Sequence, residues 1–405
     1  MQLLKSSNTK IVTKLVSVTV IGQIIALGLS PVIARLFLPE MMGAYADIIA
    51  YSAIIATLMN GRYDLALIEV KKLDTSKHLI KLSLIIGLFL SLIFATIGFF
   101  IDIINQQNFK DEYYFVIIIG FLVSQVSVVN HFRNSVRHYD LLSINKLIQS
   151  IIPNLLLILV GLTWKDINSM LLAYLVGLLI ILIVNKKIYS PIFSMNPASI
   201  KLYAKKYYRY PKFLIPSTLC SELSGNLPII MTSSFFGLST AGYIYMANRL
   251  ISIPITFLGN SIGEVYRERA VEQYNNKGNC EKLFFQFLIF LVITGSIFSL
   301  GIFFLSEFLV ELVYGNEWVD TGIIMKYYSV MMFFQYISTP LSYSIVLKNN
   351  QKFDLILQII RLLLVVFSFL IGYLNNDFYL AIKLYVFGYS IYYFLHSILQ
   401  FKSVK

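Results

Sequence analysis

Apolar runs of about 19–25 residues recur along the 405-residue chain, separated by short polar segments. The runs predict twelve helices, over 11–34, 42–61, 80–101, 112–132, 144–163, 167–185, 213–236, 243–266, 283–305, 323–347, 355–373 and 378–400. At 1.5 Å per residue each can cross about 30 Å of hydrocarbon. Hydrophobic residues make up 57% of the chain, charged residues 13%, and mean hydropathy is +0.73. No soluble domain of this size has an interior large enough for that apolar surface, so the bilayer must be its solvent. The first run lacks a small-residue cleavage site and is read as an uncleaved helix.

The polar segments alternate in charge. Twenty-six Lys and Arg residues fall in one set of loops and at the termini. The opposite set carries three, Arg35, Lys110 and Lys165. This asymmetry places both termini in the cytoplasm of a multi-pass protein. It also accounts for the net charge of +12 without a nucleic-acid partner. The longest inner segment, 186–212, divides the spans six and six, giving domains 1–200 and 201–405. Within it, 199–209 reads as an amphipathic helix. Lys201, Lys205, Lys206 and Arg209 lie on one side and Ile200, Tyr203, Ala204 and Tyr207 on the other, as on a helix resting on an anionic leaflet. The longest outer loop, 306–322, is short and acidic.

The first helix pair of each half looks alike. Pro31-Val-Ile, Phe37-Leu38 and Gly43-Ala-Tyr45 match Pro228-Ile-Ile, Phe235-Phe236 and Gly242-Tyr-Ile-Tyr245. An even number of spans per half implies a repeat axis along the membrane normal, and transporters built this way bind substrate between the halves.

A charge at mid-bilayer costs about 2.5–3.5 kcal/mol on insertion scales, so the charges inside spans are informative. Arg249 sits two turns into the eighth span and is the strongest functional candidate. Arg361, Lys326 and Lys383 lie in later spans, where pairing or snorkelling competes with function. Arg35 ends the first span on the outer side. Asp47 and Glu222 interrupt spans two and seven, while Asp64 and Glu69 follow span two. Polar stripes run along span one (Thr19, Gln23, Ser30) and span seven (Ser217, Ser221, Ser224, with Asn226 nearby). Helix packing explains such stripes, and so does a shared polar cavity. The four histidines and two cysteines are scattered without ligand spacing, and no catalytic constellation or phosphate loop is visible. No metal, cofactor or catalytic residue is expected.

The segments Arg35-Leu-Phe-Leu-Pro-Glu-Met-Met-Gly43 and Gly61-Arg-Tyr-Asp-Leu-Ala-Leu67 resemble those of O-antigen and capsule-repeat flippases. So do Tyr210-Pro-Lys-Phe-Leu-Ile-Pro216, Leu227-Pro228 and Ala247-Asn-Arg-Leu-Ile-Ser-Ile-Pro254. These flippases belong to the multidrug/oligosaccharidyl-lipid/polysaccharide exporter (MOP) superfamily. The resemblance implies an all-α membrane protein with two six-helix lobes around a central cavity that opens alternately inward and outward. It implies a bacterial inner-membrane flippase serving O-antigen, lipopolysaccharide or other polysaccharide biosynthesis. Its cargo would be an undecaprenyl-pyrophosphate-linked oligosaccharide, with membrane lipids around it and a polysaccharide polymerase as a possible partner. In the related lipid II flippases, cavity arginines lie at the ends of the first and second helices and within the eighth. The motifs place Arg35, Arg62 and Arg249 there, with Gln23 and Asn226 as further substrate contacts.

Arginine suits a pyrophosphate, because its planar fork donates paired hydrogen bonds and stays charged. If an ion gradient drives the cycle, a buried carboxylate must carry the ion, and Asp47 and Glu222 are the candidates. A drug or ion antiporter of the same superfamily would favour acids over arginines. A polymerase or ligase would need a large outer loop bearing catalytic basic residues.

Overall fold

The computed structural model describes residues 7–70, 72–105, 112–190, 197–348 and 351–404. The expectations for Lys5, Lys71, Lys110 and Lys405 lie outside these residues. Among the described residues the chain is helical throughout, without strands. The first seven helices are α1 (Ser7–Leu36), α2 (Pro39–Met59), α3 (Tyr63–Glu69), α4 (Leu73–Asn105), α5 (Glu112–Ser135), α6 (Tyr139–Thr163) and α7 (Ile167–Val184). Next come α8 (Pro197–Lys206), α9 (Arg209–Phe236), α10 (Leu238–Lys277) and α11 (Glu281–Tyr314). The last are α12 (Val319–Leu341), α13 (Tyr343–Leu347), α14 (Gln351–Leu374) and α15 (Phe378–Val404). Setting aside the short α3, α8 and α13 leaves the twelve long helices that the apolar runs predict.

Among the described residues, ten regions are long and apolar enough to span a membrane. The two long helices outside that set are α9 and α10, diluted by Arg209, Lys212 and Glu222 in one and by Arg249 and a charged C-terminal half in the other. Their length still crosses the bilayer. The 40 residues of α10 extend about 60 Å, so its last turns, with Arg267, Arg269 and Lys277, run past the hydrocarbon. The lipid-facing character is plain on α11, where Ile289, Ile293, Ile297, Phe304 and Phe308 are all exposed. In water such a stripe would drive aggregation.

The chain divides into two compact units. One comprises 1–37 and 44–226, the other 38–43 and 227–405. In the first, α4 packs on α5, α5 on α7 and α6 on α7. In the second, α11 packs on α12, α12 on α15 and α14 on α15. These are the same three pairings, helix for helix.

The repeat is clearest within the second unit, where the start of α2 crosses the start of α10. A Cβ on Gly43 would run into the carbonyl of Leu238, and one on Gly242 into the carbonyl of Pro39. The two contacts are reciprocal, because 39 corresponds to 238 and 43 to 242 at one constant offset. Only glycine lets the two backbones approach this closely.

Two expectations about the polar segments change. The acidic segment 306–322 is mostly helix, since α11 continues to Tyr314 and a short turn around Asn316–Trp318 leads into α12. A helix that protrudes from the membrane carries charge as readily as a loop does. The amphipathic helix forms as α8, but its apolar side packs on protein rather than lipid. Ile200 joins the buried cluster of Tyr63, Leu67, Leu79, Val128 and Phe132. Tyr203 stacks on His78 at 4.4 Å, and the Tyr63 hydroxyl donates to the Ala204 carbonyl at 3.3 Å. Arg209 opens the next helix.

Candidate functional site

The turn after α2 is the most unusual backbone of the first unit. Asn60 is buried, and Gly61 and Arg62 both adopt left-handed conformations, with φ of 56° and 55°. Glycine takes this shape freely, but an arginine there costs about 1–3 kcal/mol and persists only where its surroundings hold it. Here the Asn60 side chain accepts the Arg62 backbone N–H at 3.0 Å. The turn stops α2 and starts α3 one residue later. It leaves Arg62 half-buried, its Nε enclosed and without a hydrogen-bond partner among the described residues.

Beside it, Asp64 is fully buried. Its Oδ2 accepts the Ser127 hydroxyl at 2.8 Å and faces His131 Nδ1 at 3.0 Å. Its Oδ1 has no partner among the described residues. Burial pushes this carboxyl up. The hydrogen bond and charge of His131, the Ser127 hydroxyl and the Arg62 charge outweigh it and hold the group below the usual carboxylate range. The sequence singles out Arg62, Asp64 and the histidines separately. It does not join them, because Asp64 and His131 are 67 positions apart. The available signal is that Asp64 follows the second span and His131 lies near the end of the fourth, ends that an alternating chain brings to one side.

Arg35 lies in the last turn of α1, exposed. Arg35 and Arg62 flank α2, whose 21 residues extend about 32 Å, so the two stand at opposite ends of the first unit. Arg249 is half-buried in α10, eleven residues past Leu238 and about 16 Å along the helix. Gln23 and Asp47 are half-buried in α1 and α2. Glu222 and Asn226 are brought together on α9, where the Asn226 amide donates to the Glu222 carbonyl at 2.9 Å and to its Oε2 at 3.3 Å. In the polar stripes, Ser30 and Ser224 donate to the carbonyls of Leu27 and Cys220 within their own helices. Helix-internal bonding therefore accounts for those two.

The remaining intramembrane cations have seats of their own. Lys326 Nζ pairs with Glu307 at 2.8 Å and lies over Phe303. Arg361 lies 5.0 Å from the Tyr392 ring centre and 5.7 Å from that of Tyr389. Lys383 lies over Tyr327.

A family model described as a polysaccharide biosynthesis protein matches residues 32–322. The chain belongs to that polysaccharide biosynthesis family. No curated protein sequence matches it. Among solved structures, it resembles the lipid II flippase MurJ in an inward closed conformation, with a TM-score of 0.72 at 15% identity over 97% of this chain and 87% of that one. It also resembles an inward-facing multidrug resistance MATE family transporter of the MOP superfamily (0.59, 15%, 96% and 92%). A third likeness is to a MOP superfamily transporter from Pyrococcus furiosus (0.57, 15%, 98% and 96%). At these identities the likeness establishes the fold. This member of the polysaccharide biosynthesis family is thus a multi-pass membrane protein with the MOP transporter fold.

Proposed function

We propose that the protein flips undecaprenyl-pyrophosphate-linked oligosaccharide repeat units from the cytoplasmic to the outer leaflet of the bacterial inner membrane, by alternating access. The observation that carries this reading is Arg249, a half-buried guanidinium about 16 Å into one of the two least apolar long helices. An arginine is costly to keep in a membrane helix, and its charged planar fork suits an anion passing it. The carrier's pyrophosphate is one, and it travels on a head too polar for hydrocarbon while its lipid tail stays in the bilayer.

Arg62 at the inner end of α2 and Arg35 at the outer end of α1 offer the same chemistry at the two faces. Each depth is read along its own helix. Gln23 and Asn226 supply amides suited to sugar hydroxyls. Both termini are cytoplasmic in this reading, and a polysaccharide polymerase consumes the delivered repeats outside. Asp47 and Glu222 stay candidates for carrying a coupling ion.

The test is export of lipid-linked repeats from cells depleted of the native protein. Arg249→Ala should lower export about tenfold or more, the loss of one or two charged hydrogen bonds, at unchanged membrane abundance. Arg249→Lys should rescue only part, since it keeps the charge without the fork. Full export by the alanine variant overturns the phosphate role.

A further inference from the structure

The cluster around Asp64 does more than hold a turn. A carboxylate only accepts hydrogen bonds, so His131 must present Nδ1–H to Oδ2 when its ring is neutral. That leaves Nε2 as the basic nitrogen. The ring is 27% exposed while Asp64 is sealed at 0%. A proton can therefore arrive at the ring's outer edge and be stabilised from its inner edge by a buried negative charge. Asp64 also keeps one enclosed oxygen unpartnered among the described residues, and Arg62 keeps one enclosed N–H.

The surrounding charges leave this pair distinct. Helix α5 also brings Arg133, whose Nε donates to Asn185 at 2.8 Å and whose terminal nitrogen meets His138 at 3.2 Å. Helix α4 brings Lys77, Lys81 and His78, and His78 Nδ1 lies 2.8 Å from the Asp74 carbonyl. Between them α4 and α5 supply the apolar Leu79, Leu82, Val128 and Val129 to the same cluster. Arg62 is the cation of its own segment.

We propose that Asp64 and His131 form a proton-binding pair, loaded at His131 Nε2, whose loading strengthens capture of an anionic diphosphate head at Arg62. The balance is simple. Neutral imidazole plus one proton gives imidazolium, and no other bond forms or breaks. Unloaded, Asp64 and Arg62 cancel. Loaded, the cluster carries one net positive charge at the inner end of the unit, where cytoplasmic cargo arrives. By linkage, cargo that favours the loaded state draws the proton in with it. The capture half of this proposal rests on the flippase reading, and the proton half does not.

Two measurements on the full chain in lipid nanodiscs separate the halves. Imidazole NMR titration, with His131 assigned from His131→Gln, reads the pair directly. Asp64→Asn should move the His131 midpoint down, because it removes the carboxylate charge that Nδ1 faces at 3.0 Å. An unmoved midpoint in a folded variant overturns the pair. Should Asp64→Asn fail to fold, Asp64→Glu serves, and a midpoint unmoved by this displaced carboxylate overturns it equally.

The second measurement is binding of a glycosyl farnesyl diphosphate, a diester that does not titrate between pH 5.5 and 8. The native protein should bind it about tenfold more tightly at pH 5.5 than at pH 8. His131→Gln should bind with no pH dependence, and Arg62→Ala should bind weakly at both. A pH dependence that survives in His131→Gln overturns the coupling. No binding by the native protein at any pH counts against the flippase reading and the capture half together, while the imidazole titration still decides the pair.

Discussion

Asp64, His131 and Ser127 meet in the first unit, and Asp354, His396 and Ser338 in the second, and the two clusters are wrapped in opposite ways. In the first unit the acid is sealed and the base reaches the surface, at 0% and 27% exposure. In the second, His396 is the buried partner at 9% and Asp354 the more open one at 28%. His396 also has no nitrogen to spare. Its Nδ1 lies 2.7 Å from the Ser338 hydroxyl and 2.8 Å from the Gln400 amide nitrogen, and its Nε2 faces Asp354 at 3.2 Å. Gln400 donates in addition to the Ser338 carbonyl at 2.8 Å. The same three side-chain types thus make a port for protons in one place and a brace joining α12, α14 and α15 in the other. Which nitrogen is left over decides the difference, and residue identity alone does not.

The sharpest way to break this contrast is transport. His131→Gln should remove most of the response of export to a pH gradient in proteoliposomes, while His396→Gln, at matched folded protein, should leave that response intact. Equal losses in both would make the clusters equivalent and end the comparison.

Stability should rank the other way. His396→Ala opens a cavity and strips partners from the buried Ser338 and Gln400 and the half-buried Asp354, an expected cost of about 3 kcal/mol. His131→Ala, at a wetter site, should cost about 1 kcal/mol. Thermal unfolding in detergent, followed by tryptophan fluorescence, checks the order.

Acid should also act unequally. Asp64 titrates lower in the folded protein than its ordinary value, so its contribution is fully present above about pH 5, beyond the unfolded carboxylate range. It is lost as pH falls through the depressed folded value. Asp64→Asn should flatten that acid limb of the stability profile.

The smallest effect expected is at Asp166, the N-cap of α7. Its carboxylate accepts the Ser169 N–H at 3.0 Å as well as the Ser169 hydroxyl. These bonds hold it below the usual carboxylate range despite slight burial. Asp166→Ala should cost about 1 kcal/mol, with no change in pH-driven export.

Much of this architecture is legible from hydropathy. Twelve apolar runs become twelve long helices because a helix satisfies its own backbone groups in lipid and about 20 residues suffice to cross it. Arg35 and Arg62 fall at helix ends as the motifs imply. The lengths of α10 and α11 are not legible, because polar residues on a protruding helix look like a loop. Nor is the docking of α8, since Ile200 and Tyr203 suit a lipid surface and a protein groove equally well. The Asp64–His131 pair is hidden for a different reason. It depends on α3 packing against α5, and no spacing within one helix records a contact across two.

The reciprocal crossing of Gly43 and Gly242 makes each glycine depend on the other. Matched residues that touch in both directions form a self-complementary contact, as at a two-fold axis. In a single chain the two positions change independently. An alanine at either one drives a Cβ into the opposing carbonyl, and the glycine left at the other cannot relieve it.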